Sequence, residues 1–236
     1  MKAIVLAGGK GRRLEPYTRI IPKPLMPIGD MPILEVLLRQ MKRADITDVV
    51  LTVGYLADYM KLFFQNGQKL GLNITYSHEK KPLGTAGPLA LVDGLEDTFL
   101  VSNGDVLTTM DIRKLIQFHK EQNAAATIST HTRKVSIDLG VVVPGDDHNI
   151  TGYIEKPTYH YLVSMGIYVF EPRVLSYIQK DEYLDFPDLV KHLLDAGEKV
   201  SSYQFDGYWQ DLGRPDDYER ASLDFEEMRS QFLPEE

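Results

Sequence analysis

The sequence predicts an α/β protein, with a doubly wound mixed sheet and a β-rich insertion in its second half. Three observations carry that prediction. Apolar runs of strand length alternate with helical stripes through the first half, the sequence form of βαβ units. From residue 125 the helical stripes give way to β-rich stretches, and helices return only near the C-terminus. Turn residues such as Asn66-Gly67 and Asn103-Gly104 punctuate the runs.

Taken in order, the first strand is Lys2–Ala7. Residues 32–43 place Ile33, Leu34, Leu37, Leu38 and Met41 at helical spacing, with Pro32 suited to the first turn. Asp48–Val53 returns as a strand, Ala57–Phe64 as a helix, and residues 73–77 alternate as a third strand. Residues 87–95 read as a short helix. Residues 98–102 form an apolar strand that stops at Asn103-Gly104-Asp105, and Asp111 caps a helix to Gln122. A carboxylate at the end of a central strand makes Asp105 a site candidate. The β-rich stretches are residues 125–131, 139–143, Ile150–Ile154 and 162–170. Helices follow at 187–196, stopped by Gly197, and at Pro215–Phe232, whose acidic start suits its positive dipole end. There is no internal repeat and no low-complexity linker, so residues 1–236 are expected to form one domain.

Composition narrows the function. A chain of 236 residues, 43% hydrophobic and 25% charged, belongs with ordinary globular proteins. No apolar run reaches the roughly 20 residues of a membrane span, and the N-terminal run is too short for a secretion signal. With no cysteine there are no disulfides and no thiolate metal sites, and the cytoplasm is the expected location. A net charge of −8 argues against a nucleic-acid partner. Yet residues 1–25 carry six basic side chains (Lys2, Lys10, Arg12, Arg13, Arg19, Lys23) against Glu15 alone, which suits a small anion. The six histidines show no metal-binding spacing, and most read as surface or loop residues.

Leu6-Ala7-Gly8-Gly9-Lys10-Gly11-Arg12-Arg13-Leu14 follows the first strand directly. Its glycines permit a sharp turn that points several N–H groups at a phosphate, and its basic residues supply counter-charge. A dinucleotide fingerprint would need glycine where Leu14 stands, and a Walker A loop Ser or Thr where Gly11 stands; both fail. A plain glycine turn is the competing reading. Lys23, between Pro22 and Pro24, has a stiff, extended setting that holds a long cation in place, although a surface lysine is the ordinary alternative.

The run Leu6 to Leu14 with Pro16, followed by Pro22-Lys23-Pro24, resembles the signature of the sugar-1-phosphate nucleotidylyltransferases. Four further segments match in order: Leu83-Gly84-Thr85-Ala86-Gly87, Asn103-Gly104-Asp105, Glu155-Lys156-Pro157 and Trp209-Gln210-Asp211-Leu212-Gly213. The resemblance covers residues 1 to about 220 and implies a Rossmann-like, nucleotide-diphospho-sugar transferase-like fold. It implies a nucleotide-binding half (1–124) and a sugar-binding half (125–236). The substrates would be an NTP and a sugar 1-phosphate. Arg13 and Lys23 would be catalytic cations that stabilise the triphosphate and the charge growing on departing pyrophosphate. Leu6, Ala7, Gly8, Gly9, Gly11, Gly84, Thr85 and Gly87 would bind the nucleotide. Gly140, Glu155 and Lys156 would bind the sugar phosphate, and Asp105 and Asp211 would share one Mg²⁺.

Each role has a plain structural alternative. Asn-Gly-Asp is a good turn sequence for Asp105, Asp211 reads equally as a loop aspartate, Gly140 as a bulge glycine, and Glu155-Lys156 as an exposed pair before a turn. Adjacent residues of a strand also point to opposite sides, so Glu155 and Lys156 need a bend to share a pocket. Arg12 and Ser164-Met165-Gly166 depart from the family pattern, which more often has a small hydroxyl residue and Asn-Ala-Gly there. The left-handed β-helix found after this domain in many relatives is expected to be absent, and a homo-oligomer is left open.

The segment Glu79 to Leu89 is most similar to mannose-1-phosphate guanylyltransferases, so GTP with mannose 1-phosphate is the expected pair. Thymidylyl or uridylyl transfer to glucose 1-phosphate is the alternative. A non-catalytic sugar-nucleotide sensor of the same fold and an enzyme acting on phosphocholine are rivals. The full set Arg13, Lys23, Asp105 and Asp211 disfavours the first, and Glu155-Lys156-Pro157 the second.

Overall fold

In a computed structural model, residues 1–234 are described. The centre is a seven-stranded sheet. Its strands are β1 (Lys2–Ala7), β4 (Asp48–Val53), β5 (Asn73–His78), β6 (Phe99–Asn103), β8 (Ala126–Ser136), β11 (Thr158–Phe170) and β12 (Val200–Gln204), and its spatial order is β12-β8-β11-β6-β1-β4-β5. The block β6-β1-β4-β5 is parallel throughout, β11 runs antiparallel to both neighbours, and β12 is parallel to β8. Three small ladders complete the strands: β2 (Pro27–Ile28) with β3 (Met31–Pro32), β7 (Val106–Thr108) with β13 (Trp209–Asp211), and β9 (Val141–Pro144) with β10 (Ile150–Ile154).

Helices cover both faces because successive strand residues point to opposite sides. In β1, Ala3 and Val5 enter the core beneath α1 (Ile33–Arg43), α2 (Ala57–Phe64) and α3 (Ile112–Gln122). Ile4 enters the opposite core, with Phe99, Phe170 and α4 (Phe186–Asp195). Helix α1 buries Leu34, Leu37, Leu38 and Met41 on one stripe, and each apolar side chain so removed from water contributes roughly 1.5–3 kcal/mol. Pro32 stands just before its first turn, and Asp111 caps α3 by accepting the Arg113 N–H at 3.0 Å. Helix α5 (Pro215–Phe232) packs Ala221, Phe225 and Phe232 into a third cluster with Leu107 and Leu212, which fastens β7 and β13 to the body.

The structure differs from the sequence reading in several places. Residues 87–95 form only a 3₁₀ turn, Gly87–Leu91. The stretches at 125–131 and 162–170 are the inner parts of longer strands, β8 and β11, which run past the sheet as a paired arm. β2, β3 and β7 escaped prediction because they are only two or three residues long, and β12 because its polar sequence lacks an apolar run. Among the described residues no helix is long and apolar enough to cross a membrane.

His119 is an exception to the histidines' surface reading, being 1% exposed. Its Nδ1 lies 2.8 Å from Thr127 Oγ1 and its Nε2 3.0 Å from Glu171 Oε1, which also accepts the Thr98 hydroxyl at 2.7 Å. Burial pushes the imidazole below its ordinary value, against the opposing hydrogen bond accepted by Glu171. The folded protein therefore holds His119 neutral while the unfolded chain takes up its proton first, so this group's contribution is lost as pH falls. The unfolding temperature is expected to drop between about pH 7 and pH 5, and less steeply in His119→Phe. Equal slopes for both proteins in calorimetry would remove His119 as the cause.

Candidate active site

The carboxyl ends of β1, β4, β5 and β6 emerge on one edge of the sheet, where open α/β sheets place their ligands. Each strand hands over to a residue of special character: β1 to Gly8, β4 to Gly54, β5 to Glu79 and β6 to Gly104-Asp105. Two cavities open there. One of about 270 Å³ is lined by Gly9, Gly11, Arg12, Arg13, Lys23 and Asp105 among others. The other, about 920 Å³, extends from the glycine loop across Glu79 to Gly84 and Thr85.

The glycine loop is pinned from below. Gly11 has φ +61°, and a Cβ on it would sit 2.9 Å from Thr18 Cγ2, so the position suits glycine sterically and conformationally. Buried Thr18 donates its hydroxyl to the Gly11 carbonyl at 2.9 Å. The following 3₁₀ turn, Arg12–Leu14, plants Leu14 in the core and leaves both arginines exposed.

Lys23 has only 8% of its surface exposed. Its ammonium donates to Asp105 Oδ2 and lies 3.8 Å from Asp211 Oδ1. The two aspartates meet because β13 pairs antiparallel with β7, placing Asp211 opposite Val106, while Leu212 N–H donates to the Asp105 carbonyl at 3.3 Å. The Arg13 guanidinium lies over Gly213, where a Cβ would be 2.9 Å from one of its nitrogens and 3.0 Å from Asp211 Oδ2. Burial and then the charge of Asp105 raise the Asp211 carboxyl above its ordinary value, against the pull of Lys23 and Arg13. The site thus sets two carboxylates and two cations around a phosphate-sized space, an arrangement able to bind a polyanion together with a hard metal cation.

At the far end of the larger cavity, Gly84 has φ +78° and a Cβ there would meet Leu184 O at 2.5 Å, so this turn is held against residues 182–186. Ala86 and Gly87 N–H groups both donate to the Leu184 carbonyl, at 2.9 and 3.0 Å. The Thr85 hydroxyl donates to Asp185 Oδ1 at 3.1 Å and accepts Phe186 N–H at 2.8 Å. Its polar capacity goes into fixing the wall rather than facing the cavity.

Of the sequence-derived residues, Leu6, Ala7, Gly9, Gly11, Arg13, Lys23 and Asp105 line the smaller cavity, while Gly8, Gly84 and Thr85 line the larger. Asp211 is brought to the same place by its contact with Lys23. Gly87, Gly140, Glu155 and Lys156 line neither, and the Gly87 N–H is taken by the Leu184 carbonyl. Gly140 faces the Tyr153 hydroxyl, whose ring fills the space a Cβ would take. The bend that Glu155 and Lys156 need is present at Lys156 itself, where φ is +44°, and both side chains are exposed.

Glu79 was not among the residues singled out. It is half-buried, its Oε2 accepts Leu83 N–H at 3.2 Å, and its Oε1 lies over Gly8 and Gly54, within 2.5 and 3.0 Å of where a Cβ on each would be. A carboxylate directly after a parallel strand is the same signal that marked Asp105.

The model of the nucleotidyl transferase family matches residues 2–228. A UTP–glucose-1-phosphate uridylyltransferase of Synechocystis sp. is 36% identical over 94% of this chain and 62% of its own length. A mannose-1-phosphate guanylyltransferase of Mycobacterium tuberculosis is 36% identical over 94% of this chain and 64% of its own. The chain thus spans somewhat under two thirds of these relatives. A solved structure from Bacillus anthracis, a candidate glucose-1-phosphate thymidylyltransferase in complex with sucrose, superposes with TM-score 0.76 and 29% identity over 94% of both chains.

Proposed function

The chain belongs to the nucleotidyl transferase family, and from that membership we propose that it transfers a nucleoside monophosphate from an NTP to a sugar 1-phosphate, releasing pyrophosphate. GTP and mannose 1-phosphate are the proposed pair. The observation that carries the activity is the meeting of Arg13, Lys23, Asp105 and Asp211 beside the glycine loop. In this reading an oxygen of the sugar phosphate attacks the α-phosphorus in line, and the bond from that phosphorus to the bridging oxygen of pyrophosphate breaks. Arg13 and Lys23 neutralise the charge growing on the leaving group, and amides around Gly8, Gly9 and Gly11 orient the phosphates.

Asp105 and Asp211 would hold a divalent cation, proposed to be Mg²⁺, whose chemistry there is charge neutralisation and polarisation of a phosphoryl oxygen. The residues fit it. They offer carboxylate oxygens only, few enough to leave positions for water and phosphate, and the Lys23 ammonium, bonded to Asp105 and 3.8 Å from Asp211, supports the reading that they accept a cation. Gly140, Glu155 and Lys156 are proposed to meet the sugar phosphate from the arm.

Guanine is favoured by Glu79. Among the bases only guanine presents two adjacent donors, N1–H and the N2 amino group, on its pairing edge, and an ionised carboxylate is acceptor-only. Uracil and thymine flank their single N–H with two carbonyls, which a carboxylate repels. No ion pair neutralises Glu79 among the described residues.

Pyrophosphate release with ATP, CTP, GTP, UTP and dTTP, each against mannose 1-phosphate and glucose 1-phosphate, tests both levels. GTP is expected to exceed UTP in kcat/KM by about 10- to 100-fold, the discrimination of one good bidentate contact, and Glu79→Gln to reduce that ratio by a similar factor. Preference for UTP or dTTP with glucose 1-phosphate would sink the guanylyl assignment and leave nucleotidyl transfer standing. No release with any pair would favour the sensor.

A further inference from the structure

Arg12 stands where the resemblance leads one to expect a small hydroxyl residue, and its surroundings give the larger side chain a use. A 3₁₀ turn has three residues per turn, so with Leu14 buried the side chains of Arg12 and Arg13 leave the turn about 120° apart. Arg13 goes to Gly213 and Asp211. Arg12 lines both cavities and stands where they join. The nearest acid in sequence, Glu15, is engaged by Arg19 at 2.8 and 3.0 Å, and the Arg12 guanidinium has no hydrogen bond or ion pair among the described residues. The turn carrying it is fixed at both ends by buried Leu14 and by the Thr18–Gly11 hydrogen bond. A guanidinium with five unengaged donors is thus held over the passage between the two cavities.

We propose that Arg12 is a binding residue for the β- and γ-phosphates of the triphosphate, and hence for pyrophosphate, supplying a bidentate contact that a hydroxyl side chain would not. This rests on the nucleotidyl transfer reading. A base in the larger cavity and an α-phosphate beside Lys23 and Asp105 leave the outer phosphates the rest of the smaller cavity, whose wall Arg12 shares with Gly9, Gly11 and Arg13. Arginine rather than lysine suits the task, because its planar fork matches two phosphate oxygens at once. Arg12 is also exposed, and among the described residues its head group makes no hydrogen bond or ion pair, so its replacement is expected to leave the fold intact.

Calorimetric titration of the wild type, Arg12→Thr and Arg12→Lys with GTP, GMP, inorganic pyrophosphate and mannose 1-phosphate tests the assignment. Arg12→Thr is expected to weaken pyrophosphate and GTP about tenfold while GMP and mannose 1-phosphate change less than about twofold, and Arg12→Lys to recover part of the loss. Unchanged pyrophosphate affinity in Arg12→Thr overturns the proposal. Equal losses for GMP assign Arg12 to loop structure, and a loss confined to mannose 1-phosphate assigns it to the acceptor; either also overturns it. Wild-type pyrophosphate release is measured alongside: release with an unaffected Arg12→Thr condemns the Arg12 assignment alone, whereas a wild type that neither turns over nor binds pyrophosphate condemns both readings.

Discussion

Asp105→Asn and Asp211→Asn are each expected to lower kcat by about a hundredfold or more, yet to move thermal stability in different directions. An amide cannot give a hard divalent cation the negative charge it requires, so the activity losses should match. The stabilities differ because the two carboxylates have different neighbours. Asp105 receives the hydrogen bond of an ammonium whose side chain is only 10% exposed, and removing that partner strands a nearly buried positive charge. Asp211 is half-exposed, and burial together with Asp105 raises its pKa, so the folded state disfavours its ionised form. A carboxyl whose folded pKa is raised costs stability at neutral pH and regains it as pH falls. Asparagine at 211 removes that cost, so its unfolding temperature should equal or exceed the wild type's, while Asp105→Asn should unfold earlier. Turnover at saturating Mg²⁺ with a thermal melt of each variant decides it. Activity within about threefold of wild type in either variant would mean that the aspartate is no ligand.

Much of this site could be read along the chain because strand ends are local events. The glycine loop directly follows an apolar run, Asp105 follows another, and the helices on either side have clear stripes, so both their existence and their chemistry survive without tertiary knowledge. The partnership of Asp105 with Lys23 is different in kind. It joins residues 82 positions apart through a buried ammonium, and nothing in local spacing reports that distance. Asp211 depended on β13, a three-residue strand with no apolar periodicity, which pairs with β7 while Leu107 and Leu212 beside it pack against α5. Thr85 was legible as a turn residue but not as the latch to Asp185, again because its partner lies 100 residues on. Glu79 had the same local signature as Asp105 and was passed over within a segment read for its glycines. The arm bearing Gly140, Glu155 and Lys156 was legible as β structure. Its placement relative to the cavities follows from how far β8 and β11 run beyond the sheet, which depends on their mutual pairing.

Lys23→Ala is expected to separate two properties that usually fall together, lowering kcat by about 100- to 1,000-fold while tightening the binding of Mg²⁺. In the folded protein the Lys23 ammonium bonds Asp105 and approaches Asp211 at 3.8 Å, so it occupies the ground that a divalent cation would need. The ammonium would compete with a divalent cation for these carboxylates, and a bound triphosphate would offer it a new partner among its own oxygens. On that account Lys23 moves its hydrogen bond from carboxylate to phosphate as the substrate binds, and its charge is used when negative charge builds on the departing pyrophosphate. Alanine removes both the competitor and the counter-charge. The two carboxylates are left facing each other without the ammonium between them, so Mg²⁺ alone should raise the unfolding temperature of Lys23→Ala more than that of the wild type. The loss of rate should appear mainly in kcat, because the partner charge is larger in the transition state than in the bound substrate. Lys23→Arg should recover little, since a planar guanidinium cannot take the compact position of an ammonium only 10% exposed between Pro22 and Pro24. A variant that raises KM with kcat intact would reassign Lys23 to ground-state binding, and an unchanged Mg²⁺-induced shift would show that the ammonium and the metal do not share one place.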